Sequence, residues 1–174
     1  AFGISHLDAH ADTRDAYEGY TWSHASIMPN VLERVPQVKK LVQVGIRDFC
    51  EEELEFAKSQ KDRMRVHTDF ERMRARFEGE SWGKQVTRMI AELPEKVWIS
   101  FDIDALDPRL CPKTGTPVPG GLDFWEAYYL ISNLVRSGRK IIGFDLCEVG
   151  NAEWDANVGA RMLYHLAGWT LESQ

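Results

Sequence analysis

Short apolar runs alternate with amphipathic stretches along the chain, and the apolar runs predict five β-strands. Most of these runs are dense in Val and Ile and do not alternate strictly between polar and apolar residues. This pattern is typical of parallel strands that are buried on both faces of a sheet. The predicted strands cover residues 2–8, 41–46, 64–67, 97–102 and 141–149.

Helix signals separate the apolar runs. Asp48 with Glu51, and Asp123 with Glu126, have the spacing of a capping box, in which side chains at the start of a helix satisfy free backbone N–H groups. The predicted helices run from Asp48 to about residue 60, over residues 82–93, from Asp123 to near Gly138, and over residues 155–171. Strands that alternate with helices predict an α/β fold with a mainly parallel sheet, in which ligands bind at the carboxyl ends of the strands.

Composition is that of an ordinary globular protein, with 44% hydrophobic and 28% charged residues, and the length of 174 residues suits one domain. The net charge of −6 argues against a nucleic-acid partner. No apolar run approaches the roughly 18 residues of a membrane span. Three widely separated cysteines, Cys50, Cys111 and Cys147, argue against a disulfide framework and fit a reducing compartment, so we expect a cytoplasmic protein.

The first cluster of candidate ligands follows the first predicted strand. Asp8, His10 and Asp12 alternate with Ala9 and Ala11, and in an extended chain this spacing places the three polar side chains on one face. The alanines leave room for an ion, and two carboxylates with one imidazole suit Mn(II) better than Zn(II). Taken alone, the same residues are equally typical of a polar loop with a helix cap.

The second cluster ends the predicted strand of residues 97–102. Asp102, Asp104 and Asp107 follow an apolar run, where unpaired carboxylates would repel one another and raise their pKa values, and a bound cation would prevent this. Asp107 precedes a proline, so a turn role is the simpler interpretation for it. The helix-free stretch that follows, residues 105–121, is rich in proline and glycine, and loops of this length are often functional.

Both clusters end predicted strands, so they can face the same crevice at the edge of the sheet. Together they supply four carboxylates and one imidazole, about what two bridged metal ions need. Two ions roughly 3.5–4 Å apart lower the pKa of a bridging water towards neutrality and hold it as hydroxide. The pair of clusters therefore predicts a two-metal hydrolase more strongly than either cluster does alone.

The segments DAHAD at residues 8–12 and SFDIDALDP at residues 100–108, followed by TGTPVPGGL, resemble the signature segments of the ureohydrolase family, which includes arginase and agmatinase. The resemblance runs in order from Ser5 to about Glu148. It implies a three-layer αβα fold with a mainly parallel sheet, of the arginase/deacetylase type, with residues 1–174 forming the C-terminal portion of one domain. It also implies a homo-oligomer that hydrolyses guanidinium or amidine C–N bonds with two Mn(II) ions.

The resemblance assigns the metal ligands residue by residue. Asp8 and Asp102 would bridge both ions. Asp12, which we also count among the catalytic residues, would complete the shell of one ion, and His10 with Asp104 would complete the other. The family has an earlier strand that ends in a GGDH segment, whose histidine completes the shell of the ion held by Asp12, and no such segment occurs in this sequence.

The resemblance also implies how the substrate is bound. Glu148, in FDLCEV, matches the acid that pairs with the substrate guanidinium, and Thr116 matches a threonine of the same pocket. His24 lies in YEGYTWSHAS, which resembles the agmatinase-type stretch whose histidine passes a proton to the leaving amine. An imidazole, which titrates near neutrality, suits that role. We interpret the remaining histidines as structural, namely His6, His67 and His165.

The expected substrate is agmatine or a related compound. Arginases carry a Ser-Gly-Asn run before the shuttle histidine that grips the α-carboxylate of arginine, and this run is absent here. After Glu148, the stretch GNAEWD replaces the usual asparagine or serine and proline, so we expect that side of the pocket to differ.

Three alternatives remain open at this point. Haloacid-dehalogenase-type phosphatases also have an apolar strand that ends in D-x-D, with Asp102 as the nucleophile, but DAHAD would then have no role. Zinc deacetylases of the related fold use one metal ion, so Asp104 would have no role as a ligand. The third alternative is a degenerate or truncated relative that binds metal or a partner subunit without turnover.

The start of the sequence favours this third alternative. The chain begins Ala-Phe-Gly, without an initiator methionine, and enters its first predicted strand at once, so we expect the beginning of the domain to be missing. His6 is the nearest replacement for the GGDH histidine, but two residues before Asp8 on a strand it should point into the sheet layer. Lost strands would leave residues 2–8 as an exposed edge, so we expect the chain alone to be inactive, weakly metal-binding, and aggregation-prone or dependent on another polypeptide.

Overall fold

A parallel sheet of five strands forms the centre of the structure, a computed structural model that describes residues 1–174. The strands are β1 (Phe2–Leu7), β2 (Val38–Ile46), β3 (Met64–Thr68), β4 (Lys96–Asp102) and β5 (Lys140–Cys147). All four neighbouring pairs run parallel, in the order β3-β2-β1-β4-β5. The five predicted strands are thus confirmed, although β2 begins at Val38 rather than at residue 41.

Five of the six α-helices lie between strands, and the sixth follows β5. The helices are α1 (Ile27–Arg34), α2 (Glu51–Ser59), α3 (Asp69–Phe77), α4 (Trp82–Ala91), α5 (Phe124–Arg136) and α6 (Glu153–Glu172). The sequence pattern did not predict α1 and α3, which are short. Pro29 lies in the first turn of α1, where a missing N–H breaks no helical hydrogen bond. None of the helices combines the length and the apolar character that a bilayer span requires.

The capping box at the start of α5 is confirmed. Asp123 Oδ1 accepts a hydrogen bond from the backbone N–H of Trp125 at 2.9 Å, and the backbone N–H of Asp123 donates to Glu126 Oε2 at 3.0 Å. The predicted start of α2 at Asp48 is wrong, because the helix is capped at Cys50. The backbone N–H of Asp48 instead donates to the carbonyl of Ala9 at 3.0 Å, which keeps the chain extended beyond β2.

Helices cover both faces of the sheet, which gives three layers. On one face α4, α5 and α6 bury a cluster of 23 residues against the strands, with Ile99 and Phe101 fully buried. On the other face α1 and α2 pack over a smaller cluster that includes Ile4 and Leu41. Burial of each such large apolar side chain stabilises the fold by roughly 1.5–3 kcal/mol.

The strand β1 lies in the middle of the sheet. It pairs with β2 on one side and with β4 on the other. The expectation that residues 2–8 form an exposed edge is therefore wrong, because the connections return the chain to both sides of β1. The two unpaired edges belong to β3 and β5, and on β5 the side chain of Ile142 is 44% exposed.

Candidate functional site

An open cleft of about 550 Å³ lies at the carboxyl ends of the strands. Every residue predicted for the site lines this cleft: Asp8, His10, Asp12, His24, Asp102, Asp104, Thr116 and Glu148. They follow β1, β4 and β5 or lie on the loops between elements, so residues up to 140 positions apart in the sequence share one cleft.

His10 lies between two buried carboxylates. Its Nδ1 atom is 3.0 Å from Asp104 Oδ2 and 3.4 Å from Asp8 Oδ1. The backbone N–H groups of Ala9 and His10 donate to Asp104 Oδ1 at 3.0 Å and to Asp8 Oδ1 at 2.6 Å. Ligand atoms of Asp8, His10 and Asp104 lie within 4.8 Å of one another, a spacing that a single ion can bridge.

The chain turns at Asp12, so the extended spacing predicted for residues 8–12 does not reach this residue. Asp12 has a φ of 51°, in the left-handed region that aspartate tolerates better than most residues. Its carbonyl accepts a hydrogen bond from the backbone N–H of Met28 at 3.1 Å. The carboxylate still faces the cleft, with ligand atoms within 4.8 Å of those of His6 and Asp8.

Asp102 completes the acidic group. Its Oδ1 atom accepts the backbone N–H of Asp104 at 3.0 Å and so caps the turn Ile103–Ala105. Burial and the charges of Asp8 and Asp104 raise the pKa of Asp102 to about 9. Burial and the charge of Asp8 raise the pKa of Asp12 to about 7. Buried carboxylates that lie this close together repel one another when they are ionised. The charge of a bound divalent cation would remove this repulsion, so the arrangement suits a divalent cation.

We expect the metal-free chain to lose stability as the pH rises from about 6 to about 9. Hydrogen bonds to Asp104 and Asp8 raise the pKa of His10 to about 10, so His10, Asp12 and Asp102 all have folded pKa values above their ordinary values. The folded chain therefore binds more protons than the unfolded chain in this range, and the free energy of unfolding falls as protons leave.

Thermal unfolding of the metal-free chain across this pH range measures the effect. The variant Asp102→Asn should flatten the dependence, because it removes the group with the most strongly raised carboxyl pKa. Added Mn²⁺ should stabilise the chain more at high pH, where its ligands have lost their protons. An unfolding temperature that rises over this range without metal would contradict the interpretation.

Two residues that the sequence pattern did not single out hold the site together. Glu53, which is buried at the start of α2, accepts the backbone N–H of Thr13 through Oε1 at 3.0 Å and the backbone N–H of Cys50 through Oε2 at 3.0 Å. The Arg47 guanidinium donates to the carbonyls of Asp104 and Val118, both at 2.8 Å. In the sequence, Glu53 appears only as an acid near the start of a helix and Arg47 only as an arginine after a strand. Neither feature indicates which distant groups the side chain binds.

His24 lies in the cleft on the turn His24–Ser26 and is exposed to solvent. Its ring packs edge-on against Tyr17, with ring centroids 5.4 Å apart, and the Arg14 guanidinium lies 5.3 Å from the Tyr17 ring centroid. The backbone N–H of Arg14 donates to the carbonyl of Ala25 at 3.0 Å, which ties this loop to the segment after Asp12. The imidazole is thus held in place and remains accessible.

Glu148 and the loop of residues 105–121 form the remaining wall. Glu148 has a φ of 59°, a conformation that costs of order 1–3 kcal/mol for a residue with a side chain and that often marks functional sites. Thr114 Oγ1 donates to the carbonyl of Glu148 at 2.9 Å. A Cβ atom on Gly115, directly before Thr116, would lie 2.9 Å from Glu148 Oε2, so a larger residue there would shift the Glu148 carboxylate.

The other histidines differ in their relation to the cleft. His67 pairs with Glu92 at 2.8 Å, and His165 packs against the rings of Phe124 and Tyr128. His6 is buried in the sheet layer, as the strand pattern indicates, but its Nε2 atom lies 2.9 Å from Asp8 Oδ2. His6 therefore contacts the site directly.

Comparison with known proteins gives a consistent result. The sequence profile of the arginase family matches residues 1–168. The chain is 33% identical over 174 residues to the N(1)-aminopropylagmatine ureohydrolase of Thermus thermophilus, covering 96% of this chain and 53% of that protein. It is 34% identical over 167 residues to the agmatinase of Pyrococcus horikoshii, covering 93% of this chain and 53% of that protein.

Solved structures show the same similarity in three dimensions. The proclavaminate amidino hydrolase of Streptomyces clavuligerus superposes with a TM-score of 0.83 at 27% identity, covering 99% of this chain and 56% of the other. The arginase of Medicago truncatula superposes with a TM-score of 0.78 at 27% identity, covering 98% and 52%. The chain thus spans about half the length of the relatives it matches.

Proposed function

Because the chain belongs to the arginase family, we propose that it carries a metal-dependent site for hydrolysis of a guanidino C–N bond, which converts an agmatine-like substrate to urea and an amine. One observation carries the proposal: five ligand-type side chains from two strand ends line a single cleft together with His24 and Glu148. The phosphatase alternative loses its basis, because it leaves no role for the residues of DAHAD that share this cleft.

We propose that the cleft holds two divalent ions. The group formed by Asp8, His10 and Asp104 would hold one, while Asp12, with Asp8 and Asp102 shared, would contribute to the other. The two ions, when bound, supply an acidified water as the nucleophile. Manganese is the metal we propose, since four carboxylates and one imidazole suit it better than zinc.

The substrate would lie between the metal ligands and the wall formed by Glu148. The Glu148 carboxylate can pair with a guanidinium and so fix the orientation of the scissile carbon. Thr116 lines the same wall and offers a hydroxyl that can donate and accept hydrogen bonds. His24 faces the cleft from the opposite loop, where its imidazole can deliver a proton to the leaving amine.

Agmatine is the substrate that we expect to be turned over best. The cleft lacks the Ser-Gly-Asn segment that the resemblance connects with the α-carboxylate of arginine, and two similar relatives are named for agmatine or its aminopropyl derivative. A screen of agmatine, guanidinobutyrate, guanidinopropionate, arginine, guanidine and formimidoylglutamate, with urea or amine release as the readout, tests this. Preference for arginine would contradict our interpretation of residues 17–26.

The second candidate function is metal or partner binding without turnover. Its basis is that residues 1–174 contain no GGDH segment, whose histidine the resemblance connects with the ion held by Asp12. We also propose a cytoplasmic homo-oligomer, supported by three free cysteines and by exposed aromatic side chains on α5 and α6, such as Trp125 and Tyr164.

Metal counting separates the two candidates. We expect near two Mn²⁺ per subunit if the cleft is the proposed two-metal site, and fewer if the chain binds metal without turnover. Elemental analysis after dialysis measures this, with Asp104→Ala as the variant and Asp107→Ala, a turn residue paired with Arg109, as the matched control. A stoichiometry that stays at one in excess metal, unchanged by Asp104→Ala, would refute the two-metal site.

A further inference from the structure

A row of polar side chains crosses the sheet beneath Asp8. Gln43 on β2, His6 on β1, Ser100 on β4 and Asp145 on β5 are neighbours in register. Strands in the interior of a parallel sheet normally carry apolar side chains, yet Gln43 and His6 are 0% and 2% exposed. Buried polar groups cost free energy unless they form hydrogen bonds or ion pairs. The partners of the side chains in this row therefore indicate the role of the row.

Gln43 determines which nitrogen of His6 carries the proton. The Gln43 amide nitrogen donates to the carbonyl of Ala11 at 2.6 Å and lies 2.9 Å from His6 Nδ1. Because the Ala11 carbonyl can only accept, the amide nitrogen rather than the amide oxygen must face it. The second amide hydrogen is then available to His6 Nδ1, which must accept it. A neutral His6 therefore carries its proton on Nε2.

The Nε2 atom of His6 lies next to Asp8. It is 2.9 Å from Asp8 Oδ2, while the backbone N–H of His10 donates to Asp8 Oδ1 at 2.6 Å. Both oxygens of the carboxylate are thus held from the protein side, which restricts its rotation. The free lone pairs of the two oxygens keep one orientation relative to the cleft.

The arrangement leaves one atom unpaired. The Gln43 amide oxygen is buried and has no hydrogen-bond partner in the protein, which destabilises the folded chain. If the Gln43 amide were rotated by 180°, its oxygen would face the carbonyl oxygen of Ala11, and two acceptors would oppose each other. Rotation of the amide therefore cannot give this oxygen a hydrogen bond. An apolar residue at this position would avoid the cost, but it would also remove both amide N–H groups, which face Ala11 and His6.

We propose that Gln43 and His6 position Asp8 for metal binding, and that His6 is a hydrogen-bond donor to this ligand rather than a ligand itself. The inference rests on the proposed metal site. The competing interpretation is that His6 ligates an ion with Asp8 and Asp12, since their ligand atoms lie within 4.8 Å. If Nε2 bound an ion, the proton of the neutral imidazole would have to be on Nδ1 instead. There it would face the N–H group of Gln43, and two donors would oppose each other.

Nitrogen NMR of the chain with ¹⁵N-labelled histidine tests the hydrogen bonds without any metal. We expect a proton on His6 Nε2, an accepting Nδ1, and no change of this tautomer when Zn²⁺ is added. The variant His6→Gln identifies the signals. A proton on Nδ1, or an Nε2 atom that loses its proton when Zn²⁺ binds, would overturn the proposal.

Affinity for Mn²⁺, measured by the electron paramagnetic resonance of the free ion, tests the positioning role. His6→Leu should weaken binding roughly 10- to 100-fold, the usual effect of losing a partner that orients a ligand. His6→Gln keeps an N–H group near the position of Nε2 and should bind almost as well as the native chain. Gln43→Leu should weaken binding less than His6→Leu. His67→Leu, which removes a histidine on β3 that pairs outside the cleft, serves as the control and should change nothing.

The two possible failures are distinguishable. Equal losses of affinity in His6→Gln and His6→Leu, with both variants folded by thermal unfolding, would identify His6 as a ligand and overturn the proposal. A native chain that binds no Mn²⁺ would refute the proposed metal site and the positioning role with it, whereas the tautomer measured by NMR still decides the hydrogen bond between His6 and Asp8.

Discussion

Replacement of His24 by alanine should lower turnover roughly 10²- to 10⁴-fold in the form of the protein that releases urea, while metal content stays unchanged. The imidazole is exposed in the cleft and held edge-on against Tyr17, so its loss should remove the proposed proton donor to the leaving amine and disturb no candidate metal ligand. Turnover and manganese content measured on the same preparation test both parts of the expectation.

Added imidazole provides a second test of this role. Because His24 is open to solvent, free imidazole should enter the space left in His24→Ala and restore part of the lost turnover. His67→Ala is the control, since His67 pairs with Glu92 and does not line the cleft. An unchanged rate in His24→Ala would demote this histidine to a structural role, and a loss of metal would show that it acts through the metal site.

The substitution Glu148→Gln should lower kcat/KM for agmatine roughly 30-fold or more. This corresponds to about 2 kcal/mol or more for removing one partner of a charge pair that is desolvated in the complex. The amide is nearly isosteric with the carboxylate, so the conformation of Glu148 with φ of 59° should persist. The loss should therefore reflect charge rather than shape.

Steady-state kinetics with a matched variant measure this effect. Glu95→Gln makes the same chemical change on an exposed side chain outside the cleft and should leave kcat/KM unaltered. Metal content should be unchanged in both variants, because Glu148 belongs to neither group of candidate ligands. If Glu148→Gln has native kcat/KM, the guanidinium is bound elsewhere and the wall formed by residues 115–118 does not define the substrate pocket.

The sequence by itself was sufficient to predict the strands and the position of the candidate site residues at the strand ends. Apolar runs rich in Val and Ile identify buried parallel strands because the pattern of burial is local to each strand. Asp8, Asp102 and Glu148 each stand at or just after the end of such a run. Since the carboxyl ends of parallel strands lie at one edge of the sheet, residues at these positions lie at the same edge.

Tertiary structure alone decided which elements are neighbours. The strand order places β1 between β2 and β4, which overturned the expectation of an exposed first strand. It also decided the start of α2, where the extended chain at Asp48 continues beyond β2 because its N–H bonds to Ala9. Both depend on pairing between segments that are distant in the sequence, and apolar periodicity contains no information about which segments pair.

The residues that hold the site in place also could not be predicted from the sequence. Glu53, Arg47 and Gln43 act through hydrogen bonds to backbone groups 32 to 71 positions away, and the partners are peptide N–H and C=O groups that every residue possesses. A peptide group has no signature in the sequence, so these contacts appear only once the chain is folded. Metal ligands, by contrast, are particular side chains at a particular spacing, and for that reason the sequence could indicate the candidate ligands but not the residues that hold them in place.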